Sequence, residues 1–185
     1  MELTKTVKSL LLVNIALFLL TYLFSITQIP FIREFVLYSI KSEEFQVHQL
    51  LTYMFLHSSI THIVFNMIGL AVFGPEVERR FGSTKFLKIY LLSGAVAGLF
   101  HILFIDNPVV GASGAVWSLM VIYALFNPEH IFHIYFFIPA KIKYIVSVFF
   151  IIELYLAFVG NDGVSHIAHI GGAITGFMIY TFGRK

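Results

Sequence analysis

Long apolar runs separated by short polar breaks follow one another along the chain, and the breaks define the elements. Six runs approach the length at which a helix crosses a hydrocarbon core of ~30 Å, about 20 residues at ~1.5 Å each. They extend from Val7 to Ile26, Leu51 to Phe73, Phe86 to Ile105, Gly111 to Phe126, Ile142 to Val159 and His166 to Phe182. The pattern predicts an all-α membrane protein, a polytopic bundle of six transmembrane helices. No break is long enough to separate two folding units, so residues 1–185 are expected to form a single domain with no separate soluble domain. The first run has Lys5 and Lys8 at its start, in the manner of a secretory leader. Leu20, Thr21, Tyr22 and Leu23 offer no small-residue cleavage site, so it is expected to persist as a span.

Composition strengthens this picture: 58% of residues are hydrophobic, 12% are charged and mean hydropathy is +0.88, which excludes an ordinary soluble domain. The absence of cysteine excludes disulfides, thiol nucleophiles and cysteine-ligated metals. Basic residues supply the orientation. Lys5 and Lys8 stand at the start of the first run, Arg79, Arg80, Lys85 and Lys88 lie from the end of the second to the start of the third, Lys141 and Lys143 open the fifth, and Arg184 and Lys185 close the chain. The breaks after the third and fifth runs carry only Asp106 and Asp162 as charges, so both termini are expected on the cytoplasmic side. The loop Thr27 to Leu50 is then external, its Arg33 and Lys41 offset by Glu34, Glu43 and Glu44. Its Phe31, Phe35, Val36 and Phe45 suit the membrane interface.

The fourth run is short and opens on "GASG", with Ser113 at its external end. A span that short starts below the surface, which makes Asn107 to Ala112 an expected re-entrant loop beside a wet cavity. A serine there can be a nucleophile if a general base lies within hydrogen-bond reach. His130 and His133 lie toward the cytoplasm, His101 near the outer end of the third run, and His48 and His57 at the start of the second. Of the remaining His62, His166 and His169, the last lies about one turn inside the final run, at the depth of Ser113. Gly172 and Gly176, extended by Ala168, give that helix a small face that matches Gly114 and Ser118 of the fourth run. Trp117, one turn from Ser113, would fix the imidazole plane.

Asp106 and Asp162 are loop residues, so the pattern points to a Ser–His dyad without an aspartate. His62 and Asn66, four apart, share a helix face and can donate to a developing oxyanion, and a polar pair in lipid is costly unless it meets a cavity or a partner. Gly111 and Gly114 let backbone amides approach the same point. Glu153, the one acid inside the fifth run, is a functional suspect with no assigned role. His166 and His169 are spaced for a metal, but no carboxylate or cysteine is expected to complete the set, and no HExxH occurs. A Gly-x-Ser-x-Gly elbow fails because Ala115 replaces its last glycine. A lone serine or histidine in a glycine-rich span usually serves packing; both at matched depth reverse that reading. A transporter would also use glycine-broken helices and an acid such as Glu153, but the inverted repeats that would mark it are not evident.

These residues resemble the rhomboid family of intramembrane serine proteases. The resemblance lies in "GASG" with Ser113, "AHIGGAITG" with His169, "HIVFN" with His62 and Asn66, and "EVERRFGS" with Glu78 at the family's acidic position. It implies a six-helix core and a catalytic dyad of Ser113 and His169. It further implies an oxyanion pocket from His62, Asn66 and the Ser113 backbone, Trp117 stacked on the base, and a structural role for His57. No cofactor, metal or nucleic acid is expected. The implied partners are the lipid bilayer and transmembrane protein substrates cut near their external ends, in a prokaryotic cell membrane. A rhomboid-like pseudoprotease would normally lack Ser113 or His169, and this chain keeps both. It departs from the family in the first external loop, where His48 and Gln49 replace a common Trp-Arg pair.

Overall fold

Polar residues at the edges of the apolar runs set where helices begin. The computed structural model describes residues 2–26, 30–134, 138–160 and 163–183. Expectations resting on Thr27, Asp162, Arg184, Lys185 and the Phe31 side chain lie outside the described residues. Along the chain run α1 (Lys5–Ile26), a short α2 (Gln49–Thr52), α3 (Ile60–Phe81), α4 (Ser83–Phe104), α5 (Ser113–Phe126), α6 (Ile142–Val159) and α7 (His166–Phe182). Ser59 caps α3 by accepting from the His62 N–H at 3.1 Å, and Ser165 caps α7 by accepting from the Ala168 N–H at 3.2 Å. Buried Glu78, in the last turn of α3, accepts from the Thr6 and Val7 N–H groups at 3.0 Å each, from Ser83 Oγ at 2.7 Å and from Thr4 Oγ1. A single carboxylate therefore caps the first turn of α1 and ties it to the first residue of α4.

Among the described residues, α1, α3, α4 and α6 are long and apolar enough to cross a bilayer, while α5 and α7 have 14 and 17 residues. The chain is an integral membrane protein. Leu12, Leu19 and Leu23 of α1 and Ile151, Tyr155 and Phe158 of α6 point outward, as lipid-facing residues do. The core centres on α5, which packs against α3, α4 and α7 and buries Leu119 and Ile122.

Two expectations are corrected. The run from Leu51 to Phe73 is not one helix: α2 and a 3-10 turn, Tyr53–Phe55, precede a break, and α3 begins at Ile60 and continues past Phe73 to Phe81. Hydropathy joined the segments because Tyr53 and Met54 are apolar, yet both are buried in the protein core. The helix outlasts its apolar stretch because Glu76 pairs with Arg79 and Arg80 one turn on, and it stops at Gly82, whose φ is 77°. The fold is also not purely α-helical. Between α5 and α6, β1 (Ile131–Ile134) pairs antiparallel with β2 (Ile138–Lys141), Ile131 opposite Lys141. Phe132 seats this hairpin between Phe73 and Tyr123. Glu129 binds Lys141 at 2.7 Å and also Lys143, which together hold its carboxyl down at about 2.

His48 and Gln49 fasten the segment that precedes α3. Gln49 Nε2 donates to Glu44 O at 2.9 Å, its Oε1 accepts from the Gln46 N–H at 3.2 Å, and His48 Nε2 donates to Glu34 O at 2.9 Å. The pair that departs from the family pattern thus anchors its own loop through backbone groups.

Candidate active site

The loop between α4 and α5 is pinned at each step before it reaches Ser113. Val109 exchanges backbone hydrogen bonds with Leu37 at 2.9 and 3.2 Å, and the Gly111 N–H donates to Tyr53 O at 2.9 Å. Buried His101 ties the loop to the start of α7: its Nε2–H donates to Asn107 O at 2.6 Å, and Ser165 Oγ lies 2.6 Å from its Nδ1. A carbonyl only accepts, so the proton sits on Nε2 and Nδ1 accepts from Ser165. Sequence reading placed His101 by depth alone and missed this clamp.

Gly111 has φ of 125°, and a Cβ there would stand 2.5 Å from His62 Nε2, so no other residue lets the imidazole lie over the loop. Three residues on, α5 and α7 meet backbone to backbone. A Cβ on Gly172 would fall 2.0 Å from Gly114 O, which forbids any larger residue at that contact. That proximity brings His169 Nε2 to 2.7 Å from Ser113 Oγ. The Trp117 ring stacks on His169 at 5.9 Å between centroids, 29° from parallel.

His62 and Asn66 line the same cavity as Ser113 and His169. The Ser58 N–H points at His62 Nδ1 over 3.4 Å, and a backbone N–H can only donate, so the His62 proton lies on Nε2. Asn66 Nδ2 uses one hydrogen on His62 O, one turn back at 3.0 Å. The glycines divide differently from expectation: the Gly111 N–H is committed to Tyr53, and Gly114 packs against Ala97 of α4, a Cβ there falling 2.3 Å from the Ala97 Cβ. The N–H groups of Ser113 and Gly114 lie in the first turn of α5, where a helix supplies no backbone partner. Buried His57 sets its ring edge-on to His62, 5.0 Å away. The cavity holds about 970 Å3 and continues from Ser113 between Phe65, Ile68 and Phe73 of α3 and Ile145 and Phe149 of α6.

The expectation that no carboxylate joins His166 and His169 is overturned. Glu153 of α6 places Oε2 2.6 Å from His166 Nδ1 and 2.9 Å from His169 Nδ1. The three ligand atoms lie within 4.8 Å of one another. The His166 contact is a hydrogen bond, whereas His169 Nδ1 stands beside the carboxylate without an aligned bond. The signal was present in the sequence as one acid in an apolar run, but its partners lie on another helix.

A family profile described as Rhomboid domain matches residues 44–185. The chain is 36% identical over 134 residues to RHOMBOID-like protein 6, mitochondrial, of Arabidopsis thaliana, covering 71% of this chain and 42% of that protein. It is 36% identical over 152 residues to Rhomboid protease AarA of Providencia stuartii, covering 68% and 52%. Against Rhomboid protease GluP of Bacillus subtilis it is 34% identical over 131 residues, covering 70% and 24%. The chain therefore spans about a quarter to a half of the length of these curated relatives. By the extent of the domain match and the level of identity, this chain belongs to the rhomboid family.

Proposed function

We propose that this chain is an intramembrane serine endopeptidase in which Ser113 and His169 cut the peptide bonds of transmembrane substrates. One observation carries the reading: a serine hydroxyl 2.7 Å from an imidazole nitrogen, at the wall of a cavity inside an apolar bundle. Ser113 Oγ attacks the scissile carbonyl carbon while its proton passes to His169 Nε2. Negative charge then develops on the carbonyl oxygen. His62 Nε2–H, the second hydrogen of Asn66 Nδ2 and the first-turn N–H of Ser113 are the donors for it, with the positive end of the α5 dipole behind them. The C–N bond breaks as His169 returns the proton to the leaving amine. A water then repeats the sequence on the acyl-serine, releasing the new carboxyl terminus.

In the bilayer, α1 and α3 to α7 act as six spans of one domain, with the termini cytoplasmic and Ser113 toward the external face. At ~1.5 Å per residue the 14 residues of α5 rise only ~21 Å, which supports a nucleophile below the surface. The cavity wall shared by α3 and α6 is the favoured route of substrate entry from lipid, because Phe65 and Phe149 are both outwardly exposed there.

A fluorophosphonate probe tests this. It should label the wild-type protein, and Ser113→Ala and His169→Ala should each lose both labelling and cleavage of a test substrate while remaining folded, a loss on the order of 1,000-fold or more. EDTA should leave the rate unchanged. Full activity in either variant would refute the assignment.

A further inference from the structure

The feature left unused by the proposed chemistry is Glu153. It is the lone acid of α6, its side chain is 14% exposed, and an unpaired carboxylate at that position would be costly. Its Oε2 faces two imidazoles of α7 instead. His169 is 8% exposed, and its Nδ1 has no aligned hydrogen bond although Oε2 stands 2.9 Å away. A buried nitrogen in contact with a carboxylate, on the ring whose other nitrogen meets a serine, defines a relation beyond the dyad.

We propose that Glu153 is the positioning carboxylate of His169, converting the dyad of the proposed protease function, on which this inference rests, into a Ser113–His169–Glu153 relay of contacts. A base that takes the Ser113 proton at Nε2 must carry its own proton on Nδ1, and an acceptor beside Nδ1 fixes that tautomer. When Nε2 becomes protonated, the imidazolium is balanced by the carboxylate oxygen 2.9 Å from Nδ1. In the attack step the proton that moves is that of the Ser113 hydroxyl, to Nε2, and Glu153 takes none. Trp117 holds one face of the ring and Glu153 its far edge, so both the plane and the tautomer are specified.

His166 shares the same oxygen at 2.6 Å, which orders the carboxylate between two rings. The titratable groups facing His169 are Glu153 of α6, His166 of α7 and, across the cavity, His62 of α3; α5 contributes only Ser113 and Trp117 among the described residues.

The test compares Glu153→Gln, Glu153→Asp and wild type as full chains in proteoliposomes, by probe labelling and substrate cleavage from about pH 5 to 9, per folded molecule. Glu153→Gln should lower kcat on the order of 100-fold with little change in KM across that range. Glu153→Asp, shorter by one methylene but still a carboxylate, should restore part of the rate. Three results would overturn the inference: a wild-type rate and profile in Glu153→Gln, a lowered melting temperature with unchanged per-molecule kinetics, or wild-type activity that EDTA removes and zinc restores. Failure of the protease reading is separate, since the wild-type protein would then not be labelled at Ser113.

Discussion

At the residue scale, the proposed chemistry depends on where two hydrogen bonds fix hydrogen positions. His62 offers Nε2–H to the cavity because the Ser58 N–H occupies Nδ1, and the ring can sit there because Gly111 has no Cβ. Asn66 is held by its own helix through His62 O, which aims its amide without a second helix. These arrangements matter most when charge appears on the substrate oxygen, so their loss should be read in turnover. Asn66→Ala is expected to lower kcat about 100-fold with KM little changed. Gly111→Ala should do at least as much, because φ of 125° disfavours alanine and the new methyl would displace the His62 ring. Steady-state kinetics on a purified substrate separate the cases: a rise in KM at constant kcat would place these residues in substrate binding instead.

At the element scale, the site exists because two helices approach closer than side chains normally allow. Gly172 against Gly114 and Gly176 against Ser118 set the α5–α7 separation, and with it the 2.7 Å between Nε2 and Oγ. Gly172→Leu is expected to push the helices apart, abolishing probe labelling and lowering the melting temperature, whereas Leu12→Ala, at an outward-facing position of α1, should leave labelling near wild type. Retained labelling in Gly172→Leu would show that the separation is set elsewhere. This scale also explains what was readable beforehand. The small faces of α5 and α7 repeat every four residues, so periodicity alone pairs them, and the α6 and α7 boundaries follow from hydropathy. The start of α3 was misplaced because apolar residues buried in protein and apolar residues facing lipid look alike in a sequence. The hairpin escaped because its four-residue strands lie between strong helical runs, with Phe132 packed on residues of two other elements. Glu153 was visible as an anomaly, but its partners could be named only once α6 was laid against α7.

At the scale of the whole molecule, the cavity and the proposed topology together constrain what can be cut. The space beside Ser113 continues between α3 and α6, so under the proposed function a substrate helix entering from lipid would meet the serine side-on. An intact helix keeps each carbonyl within its own hydrogen-bond ladder, and opening that ladder in lipid costs several kcal/mol per unpaired group. Under the proposed function the cavity would relieve part of this cost, since His62, Asn66 and Ser113 line it and could meet the freed backbone. Substrates whose outer segment is already weakened by Gly, Pro or Ser should therefore be cut faster, with a small residue just before the scissile bond. Replacing those residues by Leu is expected to slow cleavage by about tenfold for each ~1.4 kcal/mol of restored helix stability. Product mass spectrometry should map the cut to the external third of the segment. Cuts near the cytoplasmic end, or undiminished cleavage of an all-Leu helix, would contradict both the orientation of Ser113 and the need for unwinding.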